Sequence, residues 1–159
     1  MAETKLETLQ ALVGTTFSPS DWILVDQDMI TNFGNLTLDP DPYHQSPDWA
    51  AKHSPFGAPI AYGFLTVSLL SHLQRSAFVN SMATENSSIG EIGMPLNYGF
   101  DRLRMIQPVR AGQSIRGVFS LKSVTEKPGR GVLMTVSSTV EIQKEDRPAM
   151  IADWLFIVP

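Results

Sequence analysis

The chain has 159 residues, 43% of them apolar and 18% charged, which is the composition of a single globular domain with one core and excludes disordered, fibrous and repeat architectures. Its formal charge of −4 supplies no general attraction to a phosphate backbone or an anionic membrane surface, so neither nucleic acid nor membrane is expected as a partner. The absence of cysteine excludes disulfide frameworks, thiolate metal sites and thiol nucleophiles.

In chain order, residues Met1 to Lys5 carry charge and lead into no apolar core of the secretory kind. Leu6, Leu9 and Leu12 then recur at helical spacing, and Gly14 stands where a helix would stop. Trp22 to Val25 reads as a short strand, after which Asp26 caps a helix that turns Met29, Ile30 and Phe33 inward and ends near Gly34. Residues Leu36 to Gln45, with two prolines and two aspartates, read as a stiffened loop. Ser46-Pro47-Asp48 opens a short helix through Trp49, Ala50 and Ala51 that stops between His53 and Pro55. From Ala61 to about Phe78 the chain is apolar on nearly every side, which predicts a helix buried all round whose N-terminal amides point into the interior.

The second half changes period. Ser88 to Pro95 is glycine-rich and reads as a loop, and Tyr98-Gly99-Phe100 with Leu103 to Ile106 alternates loosely. A turn between Pro108 and Gly112 precedes a strand from Ser114 to Val124. After the turn Lys127 to Gly131 comes the cleanest alternation in the chain, with Val132, Met134, Val136, Val140 and Ile142 on one face and Thr135, Ser137 and Thr139 on the other. A last strand runs from Met150 to Val158. No stretch approaches the roughly eighteen unbroken apolar residues of a membrane span, and Ile157-Val158-Pro159 matches no retention or peroxisomal address, so a cytoplasmic protein is expected. These elements predict an α+β domain over residues 1–159, an antiparallel sheet curved around one buried helix.

Asp39 and His44 lie five positions apart in the proline-stiffened loop. A carboxylate beside an imidazole is the minimal kit for acid–base work on one water molecule, although both residue types also serve loops as caps and solvated groups.

Asp39-Pro40-Asp41-Pro42-Tyr43-His44, followed by Pro59-Ile60-Ala61-Tyr62-Gly63 at the start of the long helix, resembles the R-specific enoyl-CoA hydratases and the MaoC-like dehydratases, including their NodN-like branch. Asn97-Tyr98-Gly99-Phe100, Arg102 to Met105, and Pro108-Val109 with Gly112 resemble the strand and turn that follow in that family. The resemblance implies a hot-dog fold, a homodimer or higher homo-oligomer, and reversible addition of water to a trans-2-enoyl thioester to give an (R)-3-hydroxyacyl thioester. It assigns Asp39 and His44 to the reacting water, the Gly63 amide to the thioester oxygen, and Ser71 to a hydrogen bond supporting the aspartate. A serine in a helix can equally bond its own backbone. No metal or redox cofactor is implied, CoA or phosphopantetheine arriving as part of the substrate.

Three positions depart from the family pattern. Leu38 stands in the place of a glycine, Asp41 of an asparagine and Tyr62 of a histidine, the last expected to change pocket shape and not to transfer protons. Arg102, Arg104, Arg110 and Arg116 form a basic cluster. Alternation puts Arg102 and Arg104 on one strand face, where they could meet the phosphates of a CoA or carrier tail or simply protect a sheet edge. His53 and His72 are expected to be structural, and Phe33, Phe56, Phe64 and Leu65 to line an acyl tunnel. The alternatives to a hydratase are a non-catalytic acyl-binding or partner subunit, and a hot-dog thioesterase. The latter would need an acid on or near the long helix, and residues 60–80 contain no Asp or Glu.

Overall fold

Period-2 alternation builds the sheet. In β4 (Gly131–Ile142) every second side chain from Val132 to Ile142 is buried, while Thr135, Ser137 and Thr139 on the other face are partly exposed. The structure, a computed structural model, describes residues 5–84 and 95–159. β4 pairs antiparallel with β3 (Gln113–Lys127) on one side and with β5 (Met150–Val158) on the other, each partner presenting its own apolar set to the same core. β1 (Ile23–Val25) and β2 (Leu96–Met105) complete an antiparallel sheet of order β1-β3-β4-β5-β2, with β1 and β2 at its edges.

The long helix α5 (Gly63–Thr84) packs across the core face of this sheet through Leu65, Leu70, Leu73 and Ala77, which join Ile115, Phe119, Val136, Met150 and Trp154 in one cluster. The helix starts two residues later than the pattern suggested, because the Ala61 N–H donates to the Val109 carbonyl at 2.7 Å and so belongs to the preceding segment. It also runs past Phe78, since Gln74 and Arg75 mark a change of surroundings and not an end.

Burial all round, expected for this helix, does not hold within one chain. Phe64 is 76% exposed and Val79 56%, on a helix that also leaves Ser68, Ser71, His72 and Arg75 in solvent. One sheet can cover only one side of a helix, and the opposite side stays open together with most of edge strand β2.

The smaller helices follow their caps. α1 (Lys5–Ala11) buries Leu9, and α2 (Gln27–Leu36) is capped by Asp26, whose side chain accepts from the Met29 N–H at 2.8 Å. α2 continues two residues beyond Gly34. The segment Leu36 to Gln45 is not wholly loop, because Asp41 caps and Pro42 opens a short turn of helix, α3 (Pro42–Gln45). Asp before Pro is the N-cap and N1 pairing that starts a helix, a signal outweighed at first sight by the two prolines. α4 (Pro47–His53) begins as expected on Ser46 and Pro47. Of the predicted loop Ser88 to Pro95, all but Pro95 lies outside the described residues.

Gly117 in β3 shows how tightly α5 is seated. A Cβ there would overlap the Phe119 ring and come within 3.0 Å of the Leu73 Cβ. Gly117→Ala is expected to destabilise the fold by about 1–3 kcal/mol, the usual cost of overpacking a close-packed core. Urea unfolding of both proteins checks this, with an unchanged midpoint as the contrary result.

Candidate active site

The residues just before α5 form a short extended strap tied on both sides. On one side the Ala61 N–H donates to Val109 (2.7 Å) and the Ala111 N–H donates to Pro59 (2.9 Å), so the strap lies along the turn between β2 and β3. On the other the Ile60 N–H donates to the Tyr43 carbonyl (3.2 Å), and the Ile60 carbonyl lies 2.7 Å from His44 Nδ1. A carbonyl only accepts, so Nδ1 carries a proton, and Nε2 is the nitrogen left to exchange one.

Tyr62 closes the strap. Its ring stacks on that of His44 with centroids 3.8 Å apart and planes at 28°, and its hydroxyl donates to the Asp39 backbone carbonyl at 2.5 Å. Asp39 and His44 are thus brought to one side chain, and the residue that joins them is the predecessor of Gly63. His44 is half-buried, with its carbonyl accepting from Gln27 Nε2 at 2.7 Å, whereas Asp39 is exposed.

The Asp39 loop is set by backbone bonds at both ends. The Asp39 N–H donates to Gly34 (2.9 Å) and the Asp41 N–H donates to Asp39 (3.0 Å), while the Asp41 carboxylate accepts from the Tyr43 N–H (2.8 Å). Asp41 therefore works as the cap of α3. Leu38 keeps the left-handed backbone that the glycine of the family pattern would adopt freely, at φ +59°, with its side chain 87% exposed. Beneath the loop, Gly34 is buried, and a Cβ on it would overlap the Tyr62 hydroxyl and the Gln45 amide.

Gly63 opens α5, so its N–H is one of the unpaired amides at the positive end of a 22-residue helix, and it has no hydrogen-bond partner among the described residues. A Cβ at Gly63 would lie 3.3 Å from the Met105 Cε, which places the end of β2 beside the same point. Ser71 lies further along α5, exposed and without a hydrogen bond to Asp39 within the chain.

The basic cluster separates. Arg110 pairs with Glu145 at 2.9 Å, and Arg116 pairs with Glu141 at 2.7 Å and lies 4.6 Å over the Trp22 ring. Hydrogen bonding from Gln107 above all, then from Gln113, with the charge of Arg110, holds the Glu145 carboxyl below its usual range. Arg102 and Arg104, exposed and outside any ion pair among the described residues, stand opposite Asp153 and Ile151. They share the sheet face of the Lys122–Asp153 pair, the face turned away from α5. His53 packs near Trp49 with ring centroids 4.9 Å apart, and His72 is exposed. Of the expected tunnel residues, Leu65 is in the core and Phe33 packs on Tyr62, but Phe56 and Phe64 face outward.

A long helix laid across a curved antiparallel sheet, with a short loop pinned at its N-terminus, defines a hot-dog protein. The chain superposes on the (R)-hydratase from A. caviae involved in PHA biosynthesis with a TM-score of 0.68 at 20% identity, covering 92% of this chain and 96% of that one. Residues 8–143 match the family described as MaoC like domain, and the chain belongs to that family. It is 39% identical to Nodulation protein N of Rhizobium leguminosarum bv. viciae, over 99% of this chain and 93% of the relative. It is 32% identical to 3-hydroxyacyl-thioester dehydratase Z of Mycobacterium tuberculosis, over 91% of this chain and 89% of the relative.

Sequence reasoning missed the contacts of Tyr62 with Asp39 and His44 and the close packing of Gly34. A tyrosine beside a buried helix start was itself a signal, because its hydroxyl needs a partner when the ring is buried. The left-handed backbone at Leu38 gives a direct test. Leu38→Gly is expected to raise stability by about 0.5–1 kcal/mol, the strain of a side chain at positive φ less the extra entropy of glycine in the unfolded chain. Thermal unfolding checks it, and a lowered midpoint would contradict it.

Proposed function

We propose that the protein adds water reversibly to a trans-2-enoyl thioester to give an (R)-3-hydroxyacyl thioester, with Asp39 and His44 as the acid–base pair. One observation carries the reading. Tyr62 bonds the Asp39 backbone, stacks on the His44 ring and directly precedes Gly63, so the Asp39 loop and the imidazole converge on the residue that leads into the free amide end of α5.

The chemistry follows from that convergence. A water held between Asp39 and His44 bonds through its oxygen to C3 of the substrate as one of the pair takes its proton, with Nε2 of His44 available as an acceptor. The π electrons of the C2–C3 bond move toward the thioester oxygen. That oxygen gains negative charge next to the Gly63 N–H and the positive end of the helix, where it is best stabilised. C2 then takes from the pair a proton equivalent to the one removed from the water, so that the pair ends in the protonation state in which it began, and the carbonyl re-forms. Asp39 is exposed and so open to an incoming thioester. The dehydratase Z of M. tuberculosis, named for a 3-hydroxyacyl thioester, supports the same substrate class. CoA or phosphopantetheine would come as part of that substrate, with no further cofactor.

The open face of α5 and the edge of β2, with Phe64, Val79, Leu96 and Met105 exposed, support pairing with a second copy. The cytoplasm suits thioester chemistry, and among the described residues no helix is long and apolar enough to cross a membrane.

The test follows loss of the conjugated-thioester absorbance of crotonyl-CoA and of a medium-chain trans-2-enoyl-CoA. The parent is expected to hydrate at least one, and Asp39→Asn and His44→Ala each to lower kcat/KM by about 10²- to 10⁴-fold, with little change in Tm for Asp39→Asn at its exposed position and a lowered Tm for His44→Ala, which also loses the Ile60 bond and the Tyr62 stack. Variants as active as the parent would overturn the assignment, and a folded parent inactive on both substrates would favour an acyl-binding subunit. Sedimentation is expected to give at least twice the chain mass of 17.5 kDa, and a stable monomer would remove the pairing.

A further inference from the structure

We infer that Tyr62 is a positioning residue that sets the geometry of Asp39 and His44 through two separate contacts, its hydroxyl on the Asp39 backbone and its ring on the His44 imidazole. The inference rests on the reading of Asp39 and His44 as the acid–base pair. It goes further in giving the pair a mechanical origin, in a residue that stands where the family pattern has a histidine.

Three observations carry it. The Tyr62 hydroxyl donates to the Asp39 carbonyl across 23 positions of sequence, although the Asp39 side chain is exposed and has no hydrogen bond of its own among the described residues. The ring lies 3.8 Å from His44 at 28°, so the imidazole is held on one face by Tyr62 and at Nδ1 by the Ile60 carbonyl. Gly34, buried under the loop, leaves room for the phenol that any side chain there would take away. Tyr62 is itself 6% exposed, and Phe33 packs against its other surroundings at 5.5 Å, so the ring has little freedom to move. A shorter side chain could not bridge the helix start and the Asp39 loop, and a phenylalanine could keep the stack but not the bond.

The two contacts are therefore separable by substitution. Tyr62→Phe keeps the ring on His44 and frees the Asp39 loop. Tyr62→Leu removes both contacts. For Tyr62→Phe, kcat on the enoyl-CoA is expected to fall about tenfold, the factor that one hydrogen bond of ordinary net strength carries, with KM changed less than twofold and the pH dependence of kcat/KM unmoved. For Tyr62→Leu, kcat is expected to fall further and the pH profile of kcat/KM to move. A residue serving stability alone would lower Tm while leaving kcat per folded molecule and the pH profile as they are in the parent.

A readout without turnover separates this inference from the activity it rests on. In Tyr62→Phe the amide protons of Asp39 and Asp41 are expected to exchange with solvent about tenfold faster than in the parent, while that of Ala61, bonded to Val109, keeps its rate. If the parent is active and Asp39→Asn is not, but Tyr62→Phe matches the parent in kcat and in exchange, the inference fails and the acid–base reading survives. If no thioester is turned over, the acid–base reading fails, and unchanged exchange at Asp39 and Asp41 in Tyr62→Phe would overturn the positioning role with it.

Discussion

The strap from Pro59 to Tyr62 is the constraint on which the site depends. It is a short run of extended backbone whose hydrogen bonds go in two directions, to Val109 and Ala111 at the turn leaving β2 and to Tyr43 and His44 in α3. Buried backbone polar groups must find partners, and here those partners belong to two parts of the fold. The strap therefore joins sheet and loop, and α5 begins where it ends. Loop, imidazole and helix amides are located by the same few residues.

From that constraint the division of labour in the molecule becomes physical. The sheet and the inner face of α5 supply an apolar core, with Leu70, Leu73, Ile115 and Val140 fully enclosed, and so hold the helix axis fixed. The N-terminus of that axis is a fixed source of positive potential and of unpaired amides. The Asp39 loop is exposed, and it owes its place to backbone bonds from Gly34 and Asp41 and to the phenol of Tyr62. A rigid dipole facing a lightly held loop is an arrangement in which a substrate can enter from solvent and still meet groups of defined position.

Much of this was legible in the residues, and what was not has identifiable causes. β4 carries an unbroken period-2 pattern over its 12 residues, β3 alternates up to the bulge between Leu121 and Ser123, and β5 is a run of mostly apolar residues buried without a break from Trp154 to Val158; such patterns are local properties of the chain. The caps at Asp26 and Ser46 are local as well. The turn of α3 was hidden because Asp-Pro serves both as a loop marker and as a helix start, and only the Asp41 side chain bonding to Tyr43 separates the two. Exposure of one α5 face was hidden because an apolar pattern reports that a surface needs cover and not what covers it. Asp39, His44 and Gly63 could be named from the resemblance of their motifs. Their joining through Tyr62 could not, since it depends on contacts 18 and 23 positions apart in sequence that form only when the strap is seated.

The central claim is that an acyl thioester meets the protein where Tyr62 ends the strap and α5 begins. Titration of the ¹⁵N-labelled protein with 3-hydroxybutyryl-CoA, followed through backbone amide and imidazole nitrogen resonances, examines it most directly. The account predicts that the largest shifts fall on the Gly63 amide, the Asp39 amide and Nε2 of His44, while Nδ1, held by the Ile60 carbonyl, moves least of the two ring nitrogens. Shifts concentrated on the outer sheet face around Arg102, Arg104 and Asp153, with Gly63 and His44 unmoved at saturation, would contradict it.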